Sequence, residues 1–354
     1  MQPQRALKLS ECDDKILSKG GDGMDCYPFV CEKIPDRLRS GYDALLAEAQ
    51  LRDEGHWEHT VLMLDEEENV LACGSIGGGV LRQIAVRENA EGMGLCAAVV
   101  SELVSLAAGQ GTTKLFLYTK PKNRALFSSL GFFPVIETGD ILMMDNTRDG
   151  LGAFLRQIPK PAGVTGAVVC NCNPFTLGHR KLIETAAVEC DSLLVFVLSE
   201  DQGMFPAADR IALVRQGTAD LENVHVYPGG DYIISPATFP TYFIKETEKT
   251  ARAQCQLDAA LFAERIAPEL GIVRRYVGEE PFDPVTAQYN DCLKETLPHF
   301  GIEVRIIPRY RNISASRIRK MLLEGRTEQL RDLLPDCTYE YCLRRFGDSP
   351  ALQG

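Results

Sequence analysis

The chain has 354 residues, of which 45% are hydrophobic and 25% are charged, and its formal net charge is −11 at pH 7. This composition excludes a wholly disordered, collagen-like or coiled-coil protein, and at about 150 residues per domain the length predicts two or three domains. The acidic excess disfavours nonspecific binding to nucleic acid or to anionic membranes. Because the N-terminus lacks the apolar segment of a signal peptide and no apolar run is long enough to cross a bilayer, we expect a soluble cytoplasmic protein.

The 12 cysteines and 5 histidines follow neither a disulfide pattern nor a zinc pattern. No Cys-x-x-Cys pair is present, and no histidine stands at zinc-finger spacing from a cysteine. We therefore expect free, reduced thiols and no metal site built from protein side chains.

The first half of the chain is predicted to be a mixed α+β domain. Residues 1–25 are polar and are expected to form a loose arm before it. Within residues 26–148, apolar periodicity predicts a helix after residue 35, strands at 60–64, 70–74 and 81–86, a helix near 95–106, a strand at 114–118, a helix at 124–130 and strands at 131–136 and 141–144. Residues 149–162, in which two prolines bracket a lysine, are predicted to be a linker.

Residues 163–354 are predicted to be an α/β domain with a doubly wound parallel sheet. The predicted strands are 164–170, 193–198, 224–227, 272–277 and 302–307. Helix patterns alternate with them, around 182–187, 211–214, 251–270, 286–297 and 315–323. Near-continuous apolar strands that alternate with amphipathic helices are typical of a parallel sheet covered by helices on both faces.

A candidate anion site follows the first strand of this sheet, where Asn171, Asn173, Thr176, Gly178 and His179 lead into a helix. Ligands of open α/β sheets bind beyond the carboxyl ends of the strands, and a helix N-terminus offers unpaired N–H groups. Glycine lets a phosphate approach the backbone, while the hydroxyl and the imidazole offer hydrogen bonds to a phosphate that gains charge during displacement. The amide of Asn171 is suited to hold a nucleotide or substrate oxygen.

A second candidate site of the same kind follows the fifth predicted strand. Ser314 and Ser316 offer hydroxyl groups at a helix N-terminus, and Arg319 on the same helix is suited to clamp phosphate oxygens. The alternative is purely structural, with His179 a core histidine and the two serines a helix cap.

Together the two sites resemble a known pair of motifs. The run Thr176-Leu-Gly-His179 resembles the T/HxGH signature of the nucleotidyltransferase superfamily, and the run Asn312-Ile-Ser-Ala-Ser-Arg-Ile-Arg319 resembles its ISxSxIR motif. The resemblance implies a Rossmann-like domain of the HIGH type that forms an adenylate from ATP.

Four further runs resemble the citrate lyase ligase family within that superfamily: Phe205-Pro-x-x-Asp209-Arg210, Gly217-Thr-Ala-Asp220, Tyr276-Val-Gly278-x-Glu280-Pro281 and Pro284-Val-Thr-x-x-Tyr289-Asn290. That resemblance implies an AMP-forming acid–thiol ligase. ATP and acetate would give acetyl-adenylate and pyrophosphate, and the acetyl group would pass to the phosphoribosyl-dephospho-coenzyme A thiol on the acyl carrier subunit of citrate lyase. ATP is the implied co-substrate, Mg²⁺ the implied ion and the carrier subunit the implied partner, with neither nucleic acid nor membrane involved.

The resemblance also implies roles for the site residues. His179 and Thr176 would steady the α-phosphate, and Ser314, Ser316 and Arg319 would hold the leaving pyrophosphate with Mg²⁺ bridging. Two further roles stay open. Arg210 either closes over the phosphates or is a surface-helix arginine, and Glu280 either holds the ribose or a metal-bound water or belongs, with Gly278, to a simple turn.

One loop departs from the superfamily pattern. Related enzymes carry a basic residue in the loop after the second strand, whereas residues 199–205 are acidic and contain none. Either Lys181, Lys245 or Arg309 supplies this charge from elsewhere, or the metal ion carries more of it.

The first half resembles the acetyltransferases of the GNAT family. Gly92 and Gly94 open a helix after a strand, as in a coenzyme A pyrophosphate loop, and the later run from Asn123 to Phe132 resembles the second half of that fold. The loop nevertheless has Asn89 where the family has arginine or glutamine, and Glu91 would repel a phosphate. We expect the fold, and leave open whether this half binds a coenzyme A-like group or transfers acetyl.

Two other functions remain open at this point. One is a nucleotidyltransferase that makes a dinucleotide-type cofactor from ATP and a phosphorylated acceptor. The other is a catalytically weakened nucleotide-binding regulatory protein, a possibility that the absence of the loop lysine suggests.

Overall fold

The computed structural model describes residues 26–55, 57–199, 203–233, 247–280 and 284–347. The predicted arm at residues 1–25, together with Lys245 and Pro281, lies outside this part of the chain. The chain divides into two compact units between Leu117 and Tyr118. No helix of the described ranges is both long and apolar enough to span a membrane.

The first unit is a mixed sheet with two helices. Its strands are β1 (Cys26–Cys31), β2 (His59–Asp65), β3 (Val70–Gly77), β4 (Val80–Val86) and the start of β5 (Phe116–Thr119), and its helices are α1 (Asp36–Glu48) and α2 (Leu95–Gly109). Strands β1 to β4 pair antiparallel in chain order, and β5 pairs parallel to β4. The helix predicted after residue 35 is confirmed as α1, whose Leu38, Tyr42 and Leu45 are buried in one apolar cluster with Leu62 and Leu64 of β2.

The second unit begins with a short α+β segment. It comprises α3 (Arg124–Ser129), the antiparallel pair β6 (Phe133–Glu137) and β7 (Leu142–Asp145), and α4 (Gly150–Leu155). Helix α4 falls inside the stretch predicted to be a linker. Its six residues include two glycines and are too few to display helical periodicity, so its packing stabilises it: the Phe154 ring lies 5.9 Å from the ring of Tyr232.

The rest of the second unit is the predicted doubly wound sheet. Its strands are β8 (Thr165–Cys170), β9 (Ser192–Val197), β10 (Val224–Pro228), β11 (Ile272–Gly278) and β12 (Glu303–Ile307), all parallel in the order β10-β9-β8-β11-β12. The helices are α5 (Leu177–Val188), α6 (Ala207–Gly217), α7 (Thr247–Leu261), α8 (Ala267–Leu270), α9 (Pro284–Thr296), α10 (Ala315–Leu323) and α11 (Asp336–Phe346). The strand order reverses between β8 and β11, so a crevice is expected at their carboxyl ends.

The predicted fold class is confirmed, and two further elements differ in detail from the prediction. The single helix predicted over 251–270 is α7 and α8 joined by a π-helical segment, Phe262–Ile266. Helix α11 was not predicted, although it buries Cys337 and Cys342 in the core and packs Tyr341 and Phe346 against the same cluster.

Candidate active site

The loop after β8 ends in a helix cap that orients the histidine. Thr176 is the N-cap of α5, and its Oγ1 accepts a hydrogen bond from the backbone N–H of His179 over 3.3 Å. In return, the backbone N–H of Thr176 donates to Nδ1 of the ring, 3.2 Å away. Because Nδ1 accepts, the ring hydrogen of neutral His179 lies on Nε2, which is left to donate to a ligand.

The imidazole of His179 is neutral at physiological pH. Burial, together with a smaller contribution from the positive charge of Arg309, lowers the pKa of His179 from 6.5 to about 4. The ring stacks on Phe175 with 6.3 Å between centroids. It therefore acts as a fixed hydrogen-bond donor and not as an acid at pH 7.

The second motif forms the N-terminus of α10. Ser314 is its N-cap and accepts from the backbone N–H of Arg317 over 3.4 Å, while its Oγ lies 2.7 Å from Oγ of the exposed Ser316. Capping and ligand binding are compatible here, because a hydroxyl oxygen that accepts from the backbone still has its own proton to donate.

The two motifs lie against each other although they are far apart in the sequence. Arg319 donates from Nη1 to the backbone oxygen of Asn173, 2.5 Å away. A Cβ placed on Gly178 would stand 3.8 Å from Cβ of Ile313 and 3.9 Å from its carbonyl oxygen. The N-termini of α5 and α10 thus share one crevice, and a larger residue at 178 would narrow it.

Arg210 is not a surface residue, so that alternative is wrong. It is 1% exposed. Its Nη1 donates to the backbone oxygen of Asn171 at 2.7 Å and to Oδ1 of the same residue at 2.6 Å. Its Nε donates to the backbone oxygen of Phe205 at 3.1 Å. Arg210 therefore fixes the loop after β8 from beneath. The backbone of Asn171 is held in this way, although the residue itself is exposed.

Asn173 carries an unsatisfied acceptor in the same loop. It is 9% exposed, and within the described residues its Oδ1 accepts no hydrogen bond. A buried polar atom without a partner costs about 1–3 kcal/mol unless a ligand or water satisfies it. This atom accordingly supports a ligand-binding function for the loop.

A third loop, after β11, meets the crevice through Arg309. The guanidinium pairs with Glu280 through Nη1, Nη2 donates to the oxygen of Ile313 over 3.1 Å, and the backbone N–H donates to Glu279 over 3.3 Å. Gly278 precedes these acids, and its carbonyl oxygen accepts from Asn290 of α9 at 2.9 Å. Of the two candidates for the missing base that the structure describes, Lys181 and Arg309, the second borders the site.

Lys181 lies elsewhere. Its ammonium is half exposed and pairs with Glu184, one turn further along α5, over 3.0 Å. No group of three or more His, Cys, Asp or Glu side chains in the described ranges is arranged to hold a metal ion.

Two of the family-like runs have structural roles. The carboxylate of Asp220 accepts hydrogen bonds from Nη1 and Nη2 of Arg180 at 2.6 and 2.7 Å, which joins α5 to the end of α6. These bonds lower the pKa of Asp220 to about 2. Asp209 accepts from the hydroxyl of Tyr341 at 2.6 Å, which joins α6 to α11. These contacts hold the helices around the crevice without entering it.

The candidate coenzyme A residues fall in separate units. In the first unit, Gly92 and Gly94 are exposed, with φ of 82° and 78° that disfavour any other residue, and α2 begins directly after them. In the second unit, Asn123 precedes α3, and its Nδ2 donates to Oγ1 of Thr119 at 2.8 Å.

The sheet and its paired loops define the class of protein: a nucleotidyltransferase-like α/β domain behind a GNAT-like one. The family model of the citrate lyase ligase C-terminal domain matches residues 165–342, and that of the GNAT acetyltransferase family matches residues 25–132. Citrate (pro-3S)-lyase ligase of Klebsiella pneumoniae is 39% identical over 318 residues, which is 86% of this chain and 93% of that protein. The protein of the same name from Escherichia coli K12 is 38% identical, over 79% of this chain and 83% of that protein. The chain belongs to the citrate lyase ligase family, which confirms the resemblance and makes it a ligase.

Proposed function

We propose that this ligase activates acetate with ATP as acetyl-adenylate and acetylates the prosthetic-group thiol of the citrate lyase acyl carrier subunit, releasing AMP and pyrophosphate. The observation that carries the proposal is the contact between the TxGH and ISxSxIR loops at the carboxyl edge of the parallel sheet. Two helix N-termini and a guanidinium then face one crevice, which suits a polyphosphate.

In the proposed first step, an acetate oxygen attacks the α-phosphorus in line while the bond from that phosphorus to the β-bridging oxygen breaks. Nε2–H of His179 donates to an α-phosphate oxygen, and Thr176 holds the ring in the orientation that permits it. Donors fixed before the reaction are worth most where charge develops, because they need not reorganise. The Oδ1 of Asn173 would accept from the nucleotide, and Asn171 would line the same side.

The leaving pyrophosphate is assigned to the second loop. Ser314 and Ser316 donate from the N-terminus of α10, and Arg319 is held close by through its bond to Asn173. A magnesium ion would neutralise charge on the β- and γ-phosphates. Since the described ranges contain no three-ligand cluster to hold it, the ion would be bound mainly by the phosphates, and no step is assigned to it.

In the proposed second step, the carrier thiol attacks the acetyl carbon, the thiol proton is lost and AMP leaves as the thioester forms. The GNAT-like half is the proposed docking element for the coenzyme A-like prosthetic group. The exposed loop that carries Gly92 and Gly94 is suited to its pyrophosphate, without acetyl transfer by this half.

ATP–pyrophosphate exchange tests the proposal directly. Exchange of labelled pyrophosphate into ATP is expected with acetate alone, before any carrier is added. Exchange that appears only with a phosphorylated acceptor would instead identify a cofactor-forming nucleotidyltransferase. Absence of exchange while ATP still binds would identify a nucleotide-binding regulatory protein.

A further inference from the structure

Arg309 lies where three loops of the candidate active site meet. It follows β12, its guanidinium pairs with Glu280 after β11, and its Nη2 donates to Ile313 before α10. Its side chain is only 12% exposed. A guanidinium held by a carboxylate and a carbonyl has few orientations left, so its charge is directed at a fixed place.

That place borders the first turn of α5. The carbonyl oxygen of Ile313 that accepts from Arg309 at 3.1 Å also lies 3.9 Å from the position of a Cβ on Gly178. Arg309 Nη2 and the position that a Cβ on residue 178 would take are therefore both within 4 Å of one atom, which brings the guanidinium near the first turn of α5. The charge of Arg309 also acts on His179, since it lowers the pKa of that ring. A phosphate bound at the N-terminus of α5 would have this guanidinium beside it.

The loop after β9, where related enzymes carry a basic residue, supplies no such cation. Residues 199–205 contain no lysine or arginine, Arg210 is committed to Asn171 and Phe205, and Lys181 faces Glu184. In-line displacement at the α-phosphorus concentrates negative charge on the phosphate oxygens, and a bidentate guanidinium matches two such oxygens.

We propose that Arg309 is a catalytic residue that contacts the α-phosphate of ATP and offsets the charge that develops there during adenylate formation. Glu280 is the positioning residue that holds the guanidinium toward the crevice. The inference rests on the proposed function insofar as it assigns a role in the same adenylation step.

Binding of AMP and adenosine separates this role from a structural one. AMP carries the α-phosphate and adenosine does not, so Arg309→Gln is expected to weaken AMP binding about tenfold or more and to leave adenosine binding unchanged. Arg309→Lys keeps the positive charge without the planar guanidinium, so its affinity for AMP is expected to lie between those of the wild type and Arg309→Gln. Arg331→Gln is the matched control, because Arg331 is half exposed and pairs with Asp336.

Turnover gives a second readout. Arg309→Gln is expected to lower kcat for acetate-dependent AMP formation about 10²-fold, as loss of one preorganised donor does. Glu280→Gln frees the guanidinium and is expected to raise KM for ATP with a smaller loss of kcat.

Two results would overturn the inference: unchanged AMP affinity in Arg309→Gln, or parallel losses of AMP affinity, adenosine affinity and melting temperature in both Arg309→Gln and Arg309→Lys. If the wild-type protein shows no acetate-dependent turnover, the proposed function fails instead. The comparison of AMP with adenosine still decides the role of Arg309 in that event.

Discussion

His179 is held as a neutral donor by local contacts alone. Its Nδ1 accepts the Thr176 backbone N–H, so the proton lies on Nε2, and its pKa is lowered to about 4. A ring that is neutral at pH 7 stabilises charge on a phosphate without giving up a proton. In the proposed reaction this bond strengthens as the phosphorus becomes five-coordinate, so it contributes mainly to the transition state.

His179→Ala is therefore expected to lower kcat far more than it weakens ATP binding. Loss of one such donor costs about 10²–10³-fold in rate, whereas the dissociation constant for ATP should change much less. Steady-state kinetics with calorimetric ATP titration measures both. A variant that turns over at the wild-type rate would assign this histidine to the core alone.

The same histidine makes stability depend on pH. Above pH 6.5 the ring is neutral in both folded and unfolded chains and contributes nothing. Below pH 6.5 the ring becomes protonated in the unfolded chain, whereas in the folded protein it stays neutral until about pH 4. The free energy of unfolding therefore falls as the pH drops through this window. The free energy of unfolding, measured with urea at pH 7 and at pH 5, should fall less between these two pH values in His179→Gln than in the wild type. Equal decreases in the free energy of unfolding of the two proteins would mean that a group other than His179 causes the pH dependence.

At the scale of elements, buried side chains fix how the loops leave the sheet. Arg210, near the start of α6, spans the oxygens of Asn171 after β8 and Phe205 after β9. One guanidinium thus ties the loop after β8 to the residue before the N-cap of α6. Lysine cannot replace it, because the contact uses nitrogens from both ends of a planar fork.

Arg210→Lys is accordingly expected to lower the free energy of unfolding by about 2–4 kcal/mol, since buried acceptors lose charge-assisted donors. KM for ATP should rise as the loop carrying Asn171 and Asn173 loosens. Denaturant unfolding and ATP kinetics test this, with Arg215→Lys as the control on the exposed face of the same helix. A stable variant with unchanged KM would mean that the loop is held by its own backbone.

The sequence was most informative where chemistry is local. The TxGH and ISxSxIR loops were predicted because capping and phosphate binding need particular residues at fixed spacing. The partners of Arg210 and Arg309 were not, because their contacts join segments 39 and 29 residues apart in sequence, and the sequence alone does not specify which segments meet. Strand β1 and helix α4 were missed for a related reason: they are short, and tertiary packing stabilises them.

At the scale of the molecule, residues 133–164, which lie between the two family-model regions, are part of the second unit. They precede the doubly wound sheet, yet Tyr232 after β10 donates to Asp145 at the end of β7. Arg265, beside α8, donates to the backbone oxygen of Val135 on β6 at 2.6 Å. These contacts predict that the segment and the sheet unfold together.

Tyr232→Phe tests that coupling in the full chain. Asp145 is 1% exposed, so removing a hydroxyl that donates to its carboxylate leaves a buried charge with fewer partners and should lower the free energy of unfolding by about 1–3 kcal/mol. The matched control is Tyr227→Phe on β10, where the ring packs on Phe196 with centroids 6.4 Å apart. Hydrogen exchange should report faster opening in both β7 and β8 of Tyr232→Phe, because the unit loses stability as a whole. Faster exchange confined to β7, with β8 unchanged, would show that the segment unfolds independently and that the five-stranded sheet is a separate folding unit.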